Sequence, residues 1–263
     1  GTSRMGFGLI VIGDEIVSGK RQDRHFPRVV EMLRGRGLSL AWAHFIGDDR
    51  AAITALLRST FAGDDVVFCC GGIGATPDDH TRQAAAAALG VDLVLHPQAA
   101  ELIAQRIAEM AAESGGSADL SLPENRQRLK MGEFPAGAEI LPNPFNRIPG
   151  FALGRHFFVP GFPVMAWPMI EAVLDTRFAG CFHRDARGER SFLVFGLAES
   201  TVTPLMEEIE RDYAEVRVFS LPSVGEDGGR RHIELGVRGP APTVDEAFAT
   251  LRAGVQALGG EIR

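Results

Sequence analysis

Short apolar runs alternate with helix-like segments along the first half of the chain. The apolar runs, which are typical of strands buried on both faces of a sheet, cover residues 7–12, 38–46 and 65–70. The segments with apolar or small residues at helical spacing cover residues 21–37, 49–61 and 78–89. This alternation predicts an α/β fold, in which a mostly parallel sheet lies between helical layers in a three-layer α/β/α domain.

The middle of the chain is less regular. Residues 99–113 have helical spacing and predict another helix. Residues 134–163 are rich in proline and predict irregular chain, with a hairpin around residues 152–159. Residues 162–178 predict a helix that a proline would begin.

Beyond Gly180 the predicted order becomes strand, helix, strand, strand, helix, strand. These segments cover residues 191–196, 203–213, 216–221, 232–237, 244–258 and 261–263. That order predicts a smaller ferredoxin-like α+β domain. We therefore expect two domains, residues 5–182 and residues 183–263, and set aside the four residues that precede Met5.

Composition narrows the classes of partner. The 263 residues carry 27 basic and 34 acidic side chains, with a formal net charge of −7. A chain this acidic is a poor candidate for sequence-blind nucleic-acid binding, which neutralises many phosphates, so no nucleic-acid partner is expected. No apolar stretch approaches the ~20 residues of a membrane span, so no membrane partner is expected. The three cysteines, an odd number, indicate a reducing, cytoplasmic setting.

A glycine-rich segment, Gly71-Gly72-Ile73-Gly74, lies between the third predicted strand and the helix after it. Glycine permits positive φ and the close approach of a ligand, and the free amides of a helix start attract anions. The spacing matches neither the dinucleotide fingerprint nor the Walker A loop. The segment predicts an anion site for a pterin or nucleotide phosphate, and a tight turn without a ligand is the alternative.

The next four residues, Thr76-Pro77-Asp78-Asp79, have two interpretations. In the first, Thr76 is the N-cap of the helix and Asp79 is the acidic partner of a capping box, which stabilises a helix start by roughly 1 kcal/mol. In the second, one carboxylate holds Mg²⁺ against a phosphate, because Mg²⁺ prefers carboxylate and phosphate oxygens. The residues alone favour neither interpretation.

Acidic residues also follow the first two predicted strands. Asp14 and Glu15 come after the first strand, and Asp48 comes after the second, where it could instead cap the next helix. Because loops leave the carboxyl ends of parallel strands at one edge of a sheet, we expect these acids beside the glycine-rich segment. The pair Ser18-Gly19 is either a turn or an anion contact.

Several of these segments resemble the molybdopterin-binding (MoCF biosynthesis, MogA/MoaB-like) domain family, and most of all its CinA (competence/damage-inducible protein) branch. The most specific likeness is the form GG-x-G-x-T-P-D-D-x-T at residues 71–81. The likeness continues at residues 13–19, Asp23, 47–49, 125–127, 143–144, 149–150, 160–163 and 195–200. It thus spans nearly the whole chain, whereas the amidase domain that follows in CinA has no counterpart in it.

The resemblance implies that the larger domain binds molybdopterin or a related phosphate-bearing ligand, and we also expect a homo-oligomer. It assigns Asp48 and Asp79 to catalysis and to Mg²⁺, as supports of adenylyl transfer to molybdopterin. It places Thr81 in the phosphate pocket and Asp23 on the opposite wall. The positions of the loops and the family resemblance together predict a set of ligand-binding residues. These are Asp14, Glu15, Ser18, Gly19, Asp23, Gly71, Gly72, Gly74, Thr76, Asp78 and Thr81.

Related members are also associated with hydrolysis of the pyrophosphate in ADP-ribose and with FAD synthesis. All these reactions make or break a phosphoanhydride, where Mg²⁺ and oriented amides neutralise charge on phosphate oxygens. The resemblance therefore implies a Mg²⁺-dependent nucleotide pyrophosphatase or adenylyltransferase. A non-catalytic pterin- or nucleotide-binding protein and an assembly protein are the alternatives.

Three segments depart from the CinA pattern. Asp23-Arg24-His25 stands where that branch has Asp-x-Asn. Residues 145–148, Phe-Asn-Arg-Ile, replace a segment with Gly-Thr-Ala, and residues 164–166, Val-Met-Ala, replace Ser-Glu-Met. The changes remove polar groups from the part of the pocket away from the phosphate, so they bear on the remainder of the ligand.

Overall fold

A computed structural model of the protein describes residues 5–183, 187–225 and 228–263; the four residues set aside above lie outside this part. The chain divides into two compact units, residues 1–181 and 182–263. None of the helices in the described ranges is both long and apolar enough to cross a membrane.

The first unit contains most of the helices and strands. In chain order they are β1 (Phe7–Ile12), α1 (Asp14–Val17), α2 (His25–Gly35), β2 (Leu40–Ile46), α3 (Arg50–Phe61), β3 (Val66–Cys70), α4 (Thr81–Leu89), β4 (Leu93–Leu95), α5 (Pro97–Ser114), α6 (Pro123–Leu129), β5 (Glu133–Pro135), β6 (Glu139–Leu141), β7 (Gly150–Leu153), β8 (His156–Val159) and α7 (Pro163–Arg177).

A six-stranded sheet with the order β2-β1-β3-β8-β7-β6 forms the centre of this unit. The strands β2, β1, β3 and β8 are parallel, and β7 runs antiparallel to both β8 and β6. Every residue of β1 and β3 is buried, as their continuous apolar runs predict. The predicted α/β fold class, with a mainly parallel sheet, is confirmed.

Helices from both faces of the sheet complete the core. On one face, Ile53 of α3 and Ala84 of α4 belong to the same buried cluster as Ile10 and Val67 of the sheet. The helices α2 and α7 contact each other, and they also contact β1 and β8 respectively. Because successive strand residues point to opposite faces, the all-apolar strands supply side chains to both helical layers.

Four parallel strands end at one edge of this sheet. The register pairs Ile12 with Ile46, Val11 with Cys70, and Cys70 with Val159. The loops that follow β1, β2, β3 and β8 therefore leave the sheet side by side, which is where parallel sheets bind ligands.

The structure corrects several predicted boundaries. The short elements β4, β5, β6 and α6 were not predicted; the three strands have only three residues each, too few for a clear alternation. The confirmed hairpin of β7 and β8 lies in the same proline-rich region. Helix α4 begins at Thr81 and not at Asp78, because Thr76–Asp79 closes a separate turn in which the amide of Asp79 donates to the carbonyl of Thr76 (3.1 Å).

The second unit is a small α+β structure. Its elements are β9 (Arg187–Phe195), α8 (Glu199–Asp212), β10 (Arg217–Ser223), β11 (His232–Pro240), α9 (Ala241–Ala257) and β12 (Glu261–Ile262). The antiparallel sheet has the order β10-β11-β9-β12. With β9 as its first strand this is the ferredoxin-like arrangement, as predicted. Its core packs Val194 and Leu235 of the sheet against Val202 of α8 and Leu251 of α9.

Candidate ligand-binding site

The glycine loop, residues 71–75, leaves the end of β3 in a conformation that requires glycine. Gly71 and Gly72 have φ angles of 109° and 74°. A Cβ atom would lie 2.4 Å from the carbonyl oxygen of Ile12 at Gly71, and 2.1 Å from Oγ1 of Thr81 at Gly72. Both the positive φ and the close packing therefore exclude larger residues at these two positions.

Side chains behind the glycine loop hold its carbonyl groups. Thr81 donates from its hydroxyl to the Gly71 carbonyl (2.9 Å) and from its amide to the Gly72 carbonyl (3.0 Å). Arg82 donates from Nη2 to the Gly74 carbonyl (2.9 Å), and Gln127 donates from Nε2 to the Ala75 carbonyl (2.6 Å). Four carbonyls of the loop are thus engaged by α4 and α6.

The amides of the same loop are not engaged. Within the part of the chain that the structure describes, the N–H groups of residues 72–75 donate to no protein acceptor, whereas that of Gly71 donates to Val159 (3.0 Å). Successive free amides in such a conformation form an anion-binding concavity. The glycine loop therefore offers positive potential without any cationic side chain.

A cavity of about 430 Å³ lies against the glycine loop. Its volume is within the ~300–1,000 Å³ range of small-molecule sites. It is lined by Gly72, Ile73, Gly74, Ala75, Thr76, Asp79, Met131, Asn143, Asn146, Ile148, Pro149, Pro160, Gly161, Phe162 and Met165. One wall is thus the glycine loop and the other is largely apolar; we refer to the space as the loop cavity.

The segments that depart from the CinA pattern contribute Asn146, Ile148 and Met165 to the apolar wall. Asn143, which is buried, donates to Oδ1 of Asn146 (2.9 Å) and to the carbonyl of Ile148 (3.0 Å), and its Nδ2 lies 3.5 Å from Sδ of Met165. Its amide is therefore used to hold this wall together. Phe162, 61% exposed, stands at the rim of the loop cavity.

His25 fixes the position of this wall, and its role was not predicted. Trp167 donates from Nε1 to Nδ1 of His25 (3.0 Å), so Nε2 carries the proton and donates to the carbonyl of Gly161 (2.8 Å). Burial lowers the pKa of His25, against the opposing effects of the Gly161 hydrogen bond and of Asp23. The histidine that replaces the asparagine of the CinA pattern thus holds the loop that follows β8.

Asp79 has a local partner in Thr76. Its Oδ2 accepts hydrogen bonds from the amide (2.9 Å) and the hydroxyl (2.8 Å) of Thr76. Thr76 is nevertheless not the N-cap that the capping-box interpretation requires, because helix α4 begins at Thr81, after the N-cap His80. Thr76 and Asp79 instead shape a turn that forms part of the loop cavity.

Asp48 is hydrogen-bonded to the loop that follows β1. The amide of Asp14 donates to Oδ2 of Asp48 (3.0 Å), and the amide of Asp48 donates to Oδ1 of Asp14 (2.8 Å). The expectation that Asp48 caps the next helix is wrong, because Asp49 is the N-cap and accepts from the amide of Ala52 (2.9 Å).

The charge around Asp48 comes from three loops. Burial raises the pKa of Asp48 most, and the charges of Asp14, Glu15 and Asp78 raise it further, against the Asp14 hydrogen bond. The acids after β1, β2 and β3 therefore lie close enough to influence one carboxyl group, in the way that their common sheet edge predicts.

Three predicted residues lie elsewhere. Asp23 accepts from the amides of His25 and Phe26 (2.9 Å each), so it caps the start of α2. Ser18 and Gly19 form the exposed turn after α1. None of these three lines the loop cavity, and the predicted acids Asp14, Glu15, Asp48 and Asp78 do not line it either. Gly71 and Thr81 do not line it either, but they shape the loop that does.

The residues that the prediction missed act through long-range contacts. Gln127 is 52 positions from Ala75, and Met165 is 22 positions from Asn143. Gln127 falls within a segment that resembles the family, but spacing along the chain gives no sign of its contact. Among the described residues, no group of three or more His, Cys, Asp and Glu side chains is placed to hold a metal ion.

The parallel-sheet edge and its amide-lined loop define an α/β domain of the kind that binds small anionic ligands. The family model described as a probable molybdopterin binding domain matches residues 8–179, and the chain belongs to that family.

Individual relatives carry the CinA name. A CinA-like protein of Anaeromyxobacter sp. (strain Fw109-5) is 30% identical over 249 residues, which are 88% of this chain and 58% of that relative. A CinA-like protein of Citrifermentans bemidjiense is 33% identical over 211 residues, 77% of this chain and 47% of the relative. The chain thus spans about half the length of such relatives.

A solved structure supports the fold. The CinA protein of Thermoplasma acidophilum superposes with a TM-score of 0.54 at 25% identity, over 65% of this chain and 97% of that chain. The predicted resemblance to the molybdopterin-binding family, and to its CinA branch, is confirmed.

Proposed function

We propose that the first unit binds a phosphate-bearing pterin or nucleotide, of the molybdopterin type, with a phosphate on the glycine loop. The observation that carries this proposal is the row of free amides at residues 72–75 beside the loop cavity. Hydrogen bonds from amides to a charged group are worth about 1.5–3 kcal/mol each. The family to which the chain belongs supports a pterin as the remainder of the ligand.

The apolar wall suits a flat heteroaromatic ring. Ile148, Phe162 and Met165 present apolar and polarisable surface to the loop cavity, whose amide-bearing wall lies at the glycine loop. A pterin or a nucleobase combines a ring with a phosphate, so it matches both walls.

We further propose that the site performs Mg²⁺-dependent phosphoanhydride chemistry. Carboxylate oxygens suit Mg²⁺, and Asp48 lies among acids whose mutual repulsion a cation would relieve. Asp48 and Asp79 would hold the ion, which would supply neutralisation of charge on phosphate oxygens. The amides of the glycine loop would orient the phosphate and stabilise developing charge, and Thr81 and Arg82 would keep those amides in place.

Binding is tested by calorimetry with ADP-ribose, FAD and molybdopterin as separate ligands. For the Gly72→Ala variant we expect at least about a hundredfold weaker binding, because the loss of two charge-assisted bonds exceeds 2.7 kcal/mol. Gly90→Ala is the matched control, since Gly90 has a φ of 68° but nothing within 4 Å of an added Cβ. Absence of saturable binding of all three ligands to the wild-type protein contradicts the proposal.

Catalysis is tested separately by mass spectrometry. The protein is incubated with Mg²⁺ and ADP-ribose, FAD, or ATP plus molybdopterin, beside an Asp48→Asn, Asp79→Asn double variant. Asparagine retains an oxygen that can accept the observed hydrogen bonds, so loss of product in the double variant points to the lost charges. Equal product from both proteins argues against the assigned roles of these carboxylates.

Binding without turnover would favour the second candidate, a protein that carries or senses a pterin. The observation behind it is the apolar wall, where Met165 stands in a segment, residues 164–166, that is more polar in the CinA pattern. The cytoplasmic setting and the homo-oligomer remain predictions, and light scattering of the purified chain measures the latter.

A further inference from the structure

A smaller cavity of about 190 Å³ adjoins the turn at residues 76–79. It shares Ala75, Thr76 and Asp79 with the loop cavity, so the two cavities meet at this turn. Three cationic side chains line the smaller cavity: Arg50 from α3, Arg82 from α4, and Lys130 after α6. We call it the basic cavity.

These three cations have no acidic partner at salt-bridge distance. Among the described residues, no carboxylate oxygen lies within 4.0 Å of a charged nitrogen of Arg50, Arg82 or Lys130. Of the guanidinium nitrogens of Arg50, Nε alone has a partner among the described residues, and it donates to Nδ1 of His80 (3.3 Å). This is unusual in a chain with a net charge of −7, where acids outnumber bases.

Arg82 is the most constrained of the three. Arg82 is only 3% exposed, and in the described structure its Nε–H has no acceptor. A buried donor without a partner costs about 1–3 kcal/mol. A neighbouring anion would offset part of this cost by its charge, even without touching Nε.

Two carboxylates also line the basic cavity, and they must be weighed against the cations. Asp79 and Glu133 both act on Arg82, where they oppose the effect of burial, which lowers its pKa most. The Oδ2 atom of Asp79 is further bonded to Thr76. The three cations outnumber these two carboxylates, and neither carboxylate lies within 4.0 Å of a charged nitrogen of Arg50 or Lys130.

We propose that the basic cavity is a second anion subsite, which takes a phosphate group. Its volume is below the ~300 Å³ of typical small-molecule sites, so it suits a single anionic group and not a whole nucleotide. The phosphate is either the second phosphate of the ligand on the glycine loop or a free phosphate. The first alternative rests on the proposed function; the second does not.

Inorganic phosphate is the probe, and the Nε–H signal of Arg50 in ¹H–¹⁵N spectra of the 263-residue chain is the readout. We expect a saturable shift whose apparent Kd rises about ten- to a hundredfold in Lys130→Ala, the worth of one lost charge-assisted contact. Arg58→Ala is the matched control, because it removes one exposed positive charge of α3 outside the basic cavity. We expect this control to bind phosphate like the wild type.

Gly72→Ala separates this proposal from the proposed function. We expect it to leave the Arg50 titration unchanged while it weakens ligand binding at the glycine loop. Pyrophosphate then separates the two sources of the phosphate. If it binds to the wild type at least tenfold more tightly than phosphate, and both Lys130→Ala and Gly72→Ala abolish this gain in affinity, the basic cavity takes the second phosphate of the ligand on the glycine loop. Without that gain, the subsite takes free phosphate.

The proposal is overturned if added phosphate does not shift the Arg50 signal. It is also overturned if Lys130→Ala and Arg58→Ala weaken phosphate binding equally, because the effect is then one of overall charge. Both substitutions are at exposed positions, so neither removes a core contact.

Discussion

The two ends of the six-stranded sheet both carry a cavity, but they differ in how their polar groups are used. At the end where the parallel strands begin, a cavity of about 390 Å³ is lined by Asp65, Arg155 and His156 among others. Asp65 accepts from the amide of Gly6 (2.9 Å) and from Nε1 of Trp42 (2.8 Å). His156 bonds through Nε2 to Oγ1 of Thr60 (2.9 Å). These polar groups already have protein partners.

The end where the strands finish has a cavity of similar size, about 430 Å³, but its amides are free. Thr81, Arg82 and Gln127 hold the loop carbonyls, so the amides are left for another acceptor. Cavity volume therefore does not distinguish the proposed ligand site from the cavity at the other end of the sheet, whereas unused hydrogen-bonding groups do. Variants at the first end should change stability alone, and variants at the second should change ligand binding alone.

The largest expected effect on stability concerns His156, which is 3% exposed. Burial lowers its pKa from 6.5 to about 4. The folded protein therefore binds fewer protons than the unfolded chain between these values, so this contribution is complete above pH 6.5 and is lost as the pH falls toward 4. The loss is at most about 3 kcal/mol, from 1.36 kcal/mol for each pKa unit.

Urea unfolding at several values between pH 7.5 and pH 4 measures this contribution. We expect the free energy of unfolding of His156→Phe to depend less steeply on pH than that of the wild type. His44→Phe, at an exposed position of β2, is expected to keep the wild-type dependence. Parallel curves for His156→Phe and the wild type would mean that His156 is not the titrating group. Ligand affinity at pH 7.5 should not change.

A smaller effect is expected for Asp65→Ala. The substitution leaves the Trp42 indole and the Gly6 amide without an acceptor, at a cost of about 2 kcal/mol in the free energy of unfolding. Asp64→Ala is the matched control, because the described residues contact Asp64 through its backbone carbonyl, which accepts from Arg155 (2.7 Å), and not through its carboxylate. Urea unfolding checks both variants. If Asp65→Ala weakens ligand binding as much as stability, the separation between the two ends of the sheet fails.

The sequence predicted the second of these ends only in part. Continuous apolar runs locate β1 and β3, and glycines mark the loop that follows β3, because both signals are local. Capping by Thr76 and by Asp48, which the sequence left open as one of two alternatives, does not occur, because an Asp or Thr before a helix can bond to a turn or to another loop equally well. Which of these bonds forms depends on tertiary packing.

Long-range contacts account for the parts of the site that the sequence did not predict. His25 and Trp167 are 142 positions apart, and no local pattern indicates that they meet below the apolar wall. The same holds for the basic cavity, whose three cations come from α3, α4 and the turn after α6. The fold class and the glycine loop were therefore within reach of the sequence, and the shape of the apolar wall was not.

The smallest expected effect tests whether the hydrogen bonds to the carbonyls of the glycine loop keep its free amides oriented. Gln127 is exposed and donates to the Ala75 carbonyl (2.6 Å), so Gln127→Ala removes one hydrogen bond of about 1 kcal/mol. If that bond keeps the amides oriented, calorimetry should show about fivefold weaker binding of the ligand, and the free energy of unfolding should fall by no more than about 1 kcal/mol. Gln105→Ala, at an exposed position of α5, should change neither quantity. Unchanged affinity in Gln127→Ala would show that Thr81 and Arg82 suffice to hold the glycine loop, and would confine the organising contacts to α4.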